Sequence, residues 1–254
     1  MKDISAIVIT KNAAEHIGRC VAALAKVCAD IVVIDTDSSD ATVMLAEQSG
    51  ARVVNSDWLG FGATKNFGAE QARFDWILSI DADEVLSEEL AMSIKDQHLD
   101  PQSVYQLDRI SSLCGKWIRH SGWYPDWIPR LYHRKEVRWN DAPVHERLII
   151  PADFDQVRLK GKLYHYSYTS YEQFDKKLDR YARLSAQSMI AKNKKYSPMI
   201  AQLAPAFRYF RTLVLKLGFL DGREGFWLSR KNAQLVRKKY EYFYQMTTGT
   251  YLEN

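Results

Sequence analysis

The chain is poor in cysteine: Cys20, Cys28 and Cys114 are its only three, and they match neither a disulfide framework nor a metal-ligand spacing. It therefore reads as built for a reducing compartment, with its thiols in packing roles. No uninterrupted apolar run approaches the roughly 18 residues of a membrane-spanning helix. The opening Met1-Lys2-Asp3-Ile4-Ser5 lacks the basic, apolar and small-residue zones of a secretory signal. Both absences predict a protein made and kept in the cytoplasm. No repeat or low-complexity segment is present. Acidic residues are scarce late in the chain: between 176 and 239 only Asp179, Asp221 and Glu224 face 16 Lys and Arg. That stretch is interleaved with Phe207, Phe210, Leu215, Phe219 and Trp227. Basic and apolar residues mixed in this way suit peripheral attachment to an anionic surface, here the inner face of the cytoplasmic membrane. The candidate cations are Arg208, Arg211, Lys216, Arg230, Lys231, Arg237, Lys238 and Lys239.

The first hundred residues have the opposite balance, 8 Lys and Arg against 17 Asp and Glu. They alternate strand and helix signals. Ile4–Thr10, Ile31–Ile34, Arg52–Val54 and Trp76–Ile80 are β-branched or apolar runs, and Glu15–Val27 and Thr42–Gln48 read as helices. A loop is expected over Asn55–Lys65, with a helix near Asn66–Ala72. Such alternation implies an α/β fold with a mostly parallel sheet, whose ligands gather at the carboxyl ends of the strands. From 101 to 170 the pattern turns to short strand-like pieces with Trp117, Trp123, Trp127 and Trp139. Helical spacing returns over Tyr171–Lys192 and again after Pro198 and Pro205. The expected organisation is a catalytic body over 1–170, divided into a 1–100 half and a 101–170 half, followed by a basic helical extension over 171–254.

The sharpest motif is Asp81-Ala82-Asp83-Glu84, directly after the buried-strand pattern Trp76–Ile80. Two carboxylates one residue apart at a strand end can hold a hard divalent cation and a diphosphate together. The same box also reads as an acidic turn capping a helix that begins near Ser87.

The order of motifs narrows the choice. Ile7-Val8-Ile9-Thr10-Lys11-Asn12 with Glu15, then Val32-Val33-Ile34-Asp35-Thr36-Asp37, then Gly62-Ala63-Thr64-Lys65-Asn66, then the acidic box, resembles the family-2 glycosyltransferases of GT-A fold. The resemblance implies that Thr10, Asn12, Glu15, Asp35, Lys65, Asn66 and Asp81 contact a nucleotide-sugar donor, a UDP-sugar. It also implies a divalent metal, Mg²⁺ or Mn²⁺, at Asp83 and Asp81, with His165 completing the shell or touching the diphosphate. One departure stands out: a common two-Asp pair in the second loop reads Asp35-Thr36 here.

Later segments, Trp127-Ile128-Pro129-Arg130-Leu131-Tyr132, Pro143-Val144-His145-Glu146, Tyr164–Tyr168 and Gly218–Gly225, resemble the bacterial enzymes that build the lipopolysaccharide inner core. That likeness implies glucose transfer from UDP-glucose to a heptose, or transfer to another lipid-linked saccharide. An inverting transfer needs a base facing the acceptor hydroxyl. Glu146 is the first candidate and Asp126 the second, while Glu146 flanked by His145 and Arg147 also reads as half of an ion pair. The tryptophans, with Arg119, Arg130, Arg134 and Arg138, fit a phosphate-bearing acceptor sugar or a small second core.

Two rival functions remain. A nucleotidyltransferase would want a Gly-rich loop after the first strand, where this chain has Thr10-Lys11-Asn12-Ala13-Ala14. A nucleic-acid binder would set its acidic first half against a phosphate backbone, so no nucleic-acid partner is expected.

Overall fold

The computed structural model describes residues 2–140 and 146–249. In chain order it holds β1 (Lys2–Thr10), α1 (Ile17–Leu24), β2 (Cys28–Asp35), α2 (Thr42–Gln48), β3 (Arg52–Asn55), α3 (Phe61–Glu70), β4 (Trp76–Asp81), β5 (Glu84–Leu86) and α4 (Glu88–Asp96). Then come β6 (Ser103–Leu113), β7 (Lys116–Trp117), β8 (Asp126–His133), β9 (Arg138–Trp139), β10 (Leu148–Ile149) and β11 (Asp155–Tyr168). Three long helices close the chain: α5 (Tyr171–Ala191), α6 (Pro198–Phe210) and α7 (Arg223–Thr248).

These elements form two compact units, one of residues 1–109 and 126–165, the other of 110–125 and 166–254. The segment 110–125, read from sequence with the catalytic body, clusters with the helices. The strands β6 and β11 run past Arg109 and His165, so each contributes residues to both units.

The first unit is the expected α/β sheet with flanking helices. Its strands run in the order β3-β2-β1-β4-β8-β6-β11-β5. The four strands β3, β2, β1 and β4 are parallel, and β8 turns antiparallel against β4 and β6. Side chains alternate across this sheet with the period of two that extended backbone imposes. Along β1, Ile4, Ala6 and Val8 join a core with Ile17, Val21 and Leu24 of α1 and Leu90 and Ile94 of α4. Ile7 and Ile9 face the other way, onto Ala69, Tyr132 and Trp139. Each fully buried Ile or Leu here contributes about 1.5–3 kcal/mol. Residue Gly68 lets α3 approach this closely, since a Cβ there would stand 2.4 Å from Ile7 Cγ2. Ser87 caps α4 by accepting a hydrogen bond from Leu90 N at 3.1 Å.

The second unit has its own core of Leu113, Ile118, Phe174, Leu178 and Leu228, with Trp123 stacked 6.4 Å from Phe174. The tyrosine beside them, Tyr168, has its hydroxyl pushed up to about 12 by burial. Asp221 fastens the loop before β8 to the turn before α7. Its carboxylate accepts from Arg119 N, His120 N and Ser121 Oγ at 3.0, 3.1 and 2.8 Å. Pro205 lies inside α6 and does not begin a new helix. Among the described residues, no helix is long and apolar enough to cross a membrane.

Candidate active site

The parallel strands of the first unit set three polar residues level at their carboxyl ends. Thr10 of β1 is in register with Asp35 of β2, and Ile9 is in register with Asp81 of β4. Adjacent strands lie ~4.8 Å apart, so these residues form one rim of the sheet.

At the Thr10–Asp35 end the loops are tied by side chains. Asp35, 3% exposed, accepts from Ser38 N at 2.9 Å and Ser38 Oγ at 2.5 Å. Asn12 sits at φ 51°, a left-handed conformation that Asn tolerates better than most residues. Its amide oxygen accepts from Ser39 N at 2.8 Å, and its own N–H donates to Ser38 Oγ at 2.8 Å. Thr36, at the position where a second acid is common, donates its hydroxyl to the Thr10 carbonyl at 3.0 Å and closes the rim. The Thr10 hydroxyl itself is buried without a hydrogen-bond partner. Glu15 is mostly exposed, 3.9 Å from the His16 ring.

The Asp81 end is a buried ionic network. Lys65 lies inside α3 at 1% exposure, its Nζ 3.2 Å from Asp81 and 3.3 Å from Glu146, over the Trp139 ring at 4.5 Å. Asn66 holds that tryptophan in place, donating to the Trp139 carbonyl at 2.9 Å and accepting from its N–H at 3.0 Å. Arg130 donates to Asp81 at 2.7 Å and Glu84 at 3.1 Å. Arg109 joins Glu84 at 3.2 Å to Asp126 at 2.8 Å. Glu84, fully buried, also accepts from Asp81 N at 3.0 Å, which ties the acidic turn to its own strand.

The charges fix one another. Burial by itself would raise the Asp81 carboxyl, but the Arg130 guanidinium and the Lys65 ammonium outweigh it and hold Asp81 well below the carboxylate range. Burial works against charged Arg130 as well, and Asp81 and Glu84 reverse it, so the guanidinium titrates above its ordinary value.

The sequence-expected residues thus divide. Lys65, Asp81, Glu146 and Asp126 meet in this network, and Asp83 pairs with His165 at 3.4 Å beside it. Asp81 is already engaged by two cations. The Pro143-Val144-His145 part of the motif before Glu146 lies outside the described residues. Arg134, expected near an acceptor, instead clamps Asp75 at 2.9 Å and the Ala69 carbonyl at 2.6 Å, because β8 delivers it to the end of α3.

Arg109 joins this network without an expected role, Glu84 of the acidic box pairs with arginines, and Arg130, expected beside an acceptor, binds Asp81 and Glu84 instead. Arg130 has a structural reason. Tyr105 of β6 pairs with Leu131 and Gln106 with Pro129, so Arg130 is the extra residue of a β-bulge that re-aims its side chain. Pro129 was the available signal, since proline inside a strand pattern marks an edge or a bulge.

The donor set suits a divalent cation. Five carboxylates, Asp81, Asp83, Glu84, Asp126 and Glu146, stand here with three Lys or Arg side chains, Lys65, Arg109 and Arg130, so the acids outnumber them by two. Asp83 and His165 are adjacent and one-third or less exposed. One or two protein ligands with phosphate oxygens completing the shell is a usual arrangement for Mg²⁺. Among the described residues, no group of three or more His, Cys, Asp or Glu converges as a metal cage.

Residues 5–152 match the family described as Glycosyl transferase family 2. An uncharacterised glycosyltransferase of Rickettsia bellii is 32% identical over 237 residues, covering 89% of this chain and 80% of that protein. The lipopolysaccharide core biosynthesis glycosyltransferase LpsC of Rhizobium meliloti is 26% identical over 206 residues, covering 76% of this chain and 73% of LpsC. Among solved structures, Staphylococcus aureus TarS 1–349 in complex with UDP covers 99% of this chain and 93% of its own, with 17% identity and a TM-score of 0.44. Against a longer TarS chain the match spans 45% of that chain.

Proposed function

Because the chain belongs to Glycosyl transferase family 2 and is a nucleotide-sugar glycosyltransferase, we propose that it is an inverting enzyme. Its donor is a UDP-hexose, of which UDP-glucose is the first candidate. Its acceptor is a lipopolysaccharide inner-core sugar such as heptose, or a related lipid-linked saccharide, and the protein works at the cytoplasmic face of an anionic membrane. The observation that carries this reading is Lys65, a buried ammonium shared between Asp81 and Glu146 at the rim where a diphosphate belongs. The name of LpsC supports the core-sugar acceptor.

In this reading Thr10, Asn12, Glu15 and Asp35 receive the nucleoside, with the unpartnered Thr10 hydroxyl as one available contact. Asp83 and His165 would hold a divalent cation, and such an ion would supply positive charge to offset that of the leaving diphosphate. Lys65 is drawn to the β-phosphate, which frees Glu146. The Glu146 carboxylate then takes the proton of the acceptor hydroxyl as that oxygen bonds to the anomeric carbon. The bond from that carbon to the phosphate oxygen breaks, and its electron pair leaves with the diphosphate. Arg130 keeps Asp81 ionised and fixed, and Asn66 keeps Trp139 beneath Lys65, so both act as positioning residues. Asp126, bound to Arg109, serves the same scaffold and is the alternative base.

The test is a screen of UDP-sugars for release of UDP, joined to analysis of the surface glycolipid from cells lacking the protein. The expected result is a glycolipid lacking one core hexose, restored by the wild-type gene and not by Glu146→Gln. An unaltered glycolipid together with no UDP release from any donor overturns the reading.

A further inference from the structure

Helix α6 buries none of its 13 residues. Met199, Leu203, Phe207, Phe210 and Val214 recur every three or four positions, so they share one face of the helix and its continuation. That face is bare: Met199, Leu203 and Phe207 are 67, 61 and 62% exposed. The turns that follow expose Leu215 and Leu220 as well. A surface helix ordinarily turns its apolar stripe inward, and exposed apolar patches mark interaction sites.

The charge around the stripe is of one sign. No Asp or Glu occurs between Arg180 and Leu220. Arg208 is half-buried, its Nε without a hydrogen-bond partner, and burial followed by the charge of Arg211 makes its protonated form less favourable. Elsewhere in the helical unit some cations have counter-charges: Lys231 binds Asp175, Lys238 binds Asp179 and Arg237 binds Glu241. Among the described residues, no carboxylate pairs with Arg208, Arg211 or Lys216 beside the exposed apolar stripe.

We propose that α6 and the turn after it form an interfacial anchor, whose apolar stripe inserts among the acyl chains of an anionic phospholipid leaflet while Arg208, Arg211 and Lys216 take the lipid phosphates. A helix of 13 residues suits a position along the interface, not a span across the bilayer. The anchor gives residues to the membrane partner of the proposed function and rests on that reading only for the reaction it serves.

Flotation of the full chain with phosphatidylcholine vesicles, and with vesicles carrying 30% phosphatidylglycerol, tests it. The wild type should float with the anionic vesicles and much less with the neutral ones. Leu203→Glu combined with Phe207→Glu should weaken binding at least tenfold, and Arg211→Gln with Lys216→Gln should remove most of its salt sensitivity. Arg237→Gln should bind as the wild type does. UDP release from donor in solution should be unchanged in all these variants, so loss of flotation with intact UDP release separates the anchor from the catalytic reading. Wild-type protein that stays with neither vesicle, or binding indifferent to Leu203→Glu with Phe207→Glu, overturns the proposal. So does a wild-type dimer that this variant converts to monomer without any flotation.

Discussion

The two units handle charge in opposite ways. In the α/β unit, Lys65, Arg109 and Arg130 are drawn inside among carboxylates that outnumber them, and the network closes on one rim of the sheet. In the helical unit most acids are engaged at the seams, Asp179 on Lys238 and Tyr242 and Asp221 on the 119–121 loop, while the remaining cations face outward. Buried charge in proteins is costly unless paired and is concentrated where chemistry needs it. Surface charge of one sign acts on partners at longer range. On that contrast rests our proposal that the first unit carries the chemistry and the second the attachment.

Four substitutions sharpen or break that comparison. Glu146→Gln should lower transfer by about 10²–10⁴-fold while UDP-sugar affinity stays within a few-fold, read by steady-state rates and calorimetry. Wild-type turnover would remove Glu146 from the role. Arg130→Met leaves the buried Glu84 beside the part-exposed Asp81 without their shared guanidinium and should cost about 3–5 kcal/mol of stability, measured by urea unfolding. A loss under 1 kcal/mol would mean the network is far more hydrated than its geometry indicates.

Asp81→Asn should cost about 1–3 kcal/mol at neutral pH. The folded carboxyl titrates below its unfolded value of about 3.9, so its stabilisation is complete above that value and lost as pH falls through the folded one. The gap between wild type and variant should stay flat from about pH 5 to 8 and narrow below about 4. A gap that widens in acid would contradict the pairing. Arg237→Gln, which breaks an exposed pair on α7, should change stability by under about 0.5 kcal/mol. A larger loss would show that the outward cations also hold the fold.

The sheet rim was legible because strand ends carry local signals. β1, β2 and β4 end at Thr10, Asp35 and Asp81, within a residue of where the β-branched runs stop. The helix α5, expected over Tyr171–Lys192, ends at Ala191, and its apolar spacing marks it without help from tertiary structure. The start of α3 was not legible. Gly62 falls in the expected loop, yet it lies inside α3 and must be glycine there because a Cβ would stand 1.9 Å from the Asn140 carbonyl oxygen, while Gly68, inside the expected helix, packs against Ile7. Such requirements are set by residues far along the chain. They move Lys65 from an expected loop into a buried helical position, which makes it the centre of an ionic network. Arg130, expected on the acceptor side, pairs with Asp81 and Glu84 instead for a related reason, since a bulge cancels the alternation by which strand faces are read.

The most direct test is calorimetric titration of UDP into the wild type and Lys65→Met, each with Mn²⁺ and with EDTA. Binding should be clear for the wild type with Mn²⁺ and at least tenfold weaker both in EDTA and in Lys65→Met. Equal UDP affinity in all four titrations would contradict a diphosphate site built from Lys65 and the acidic turn.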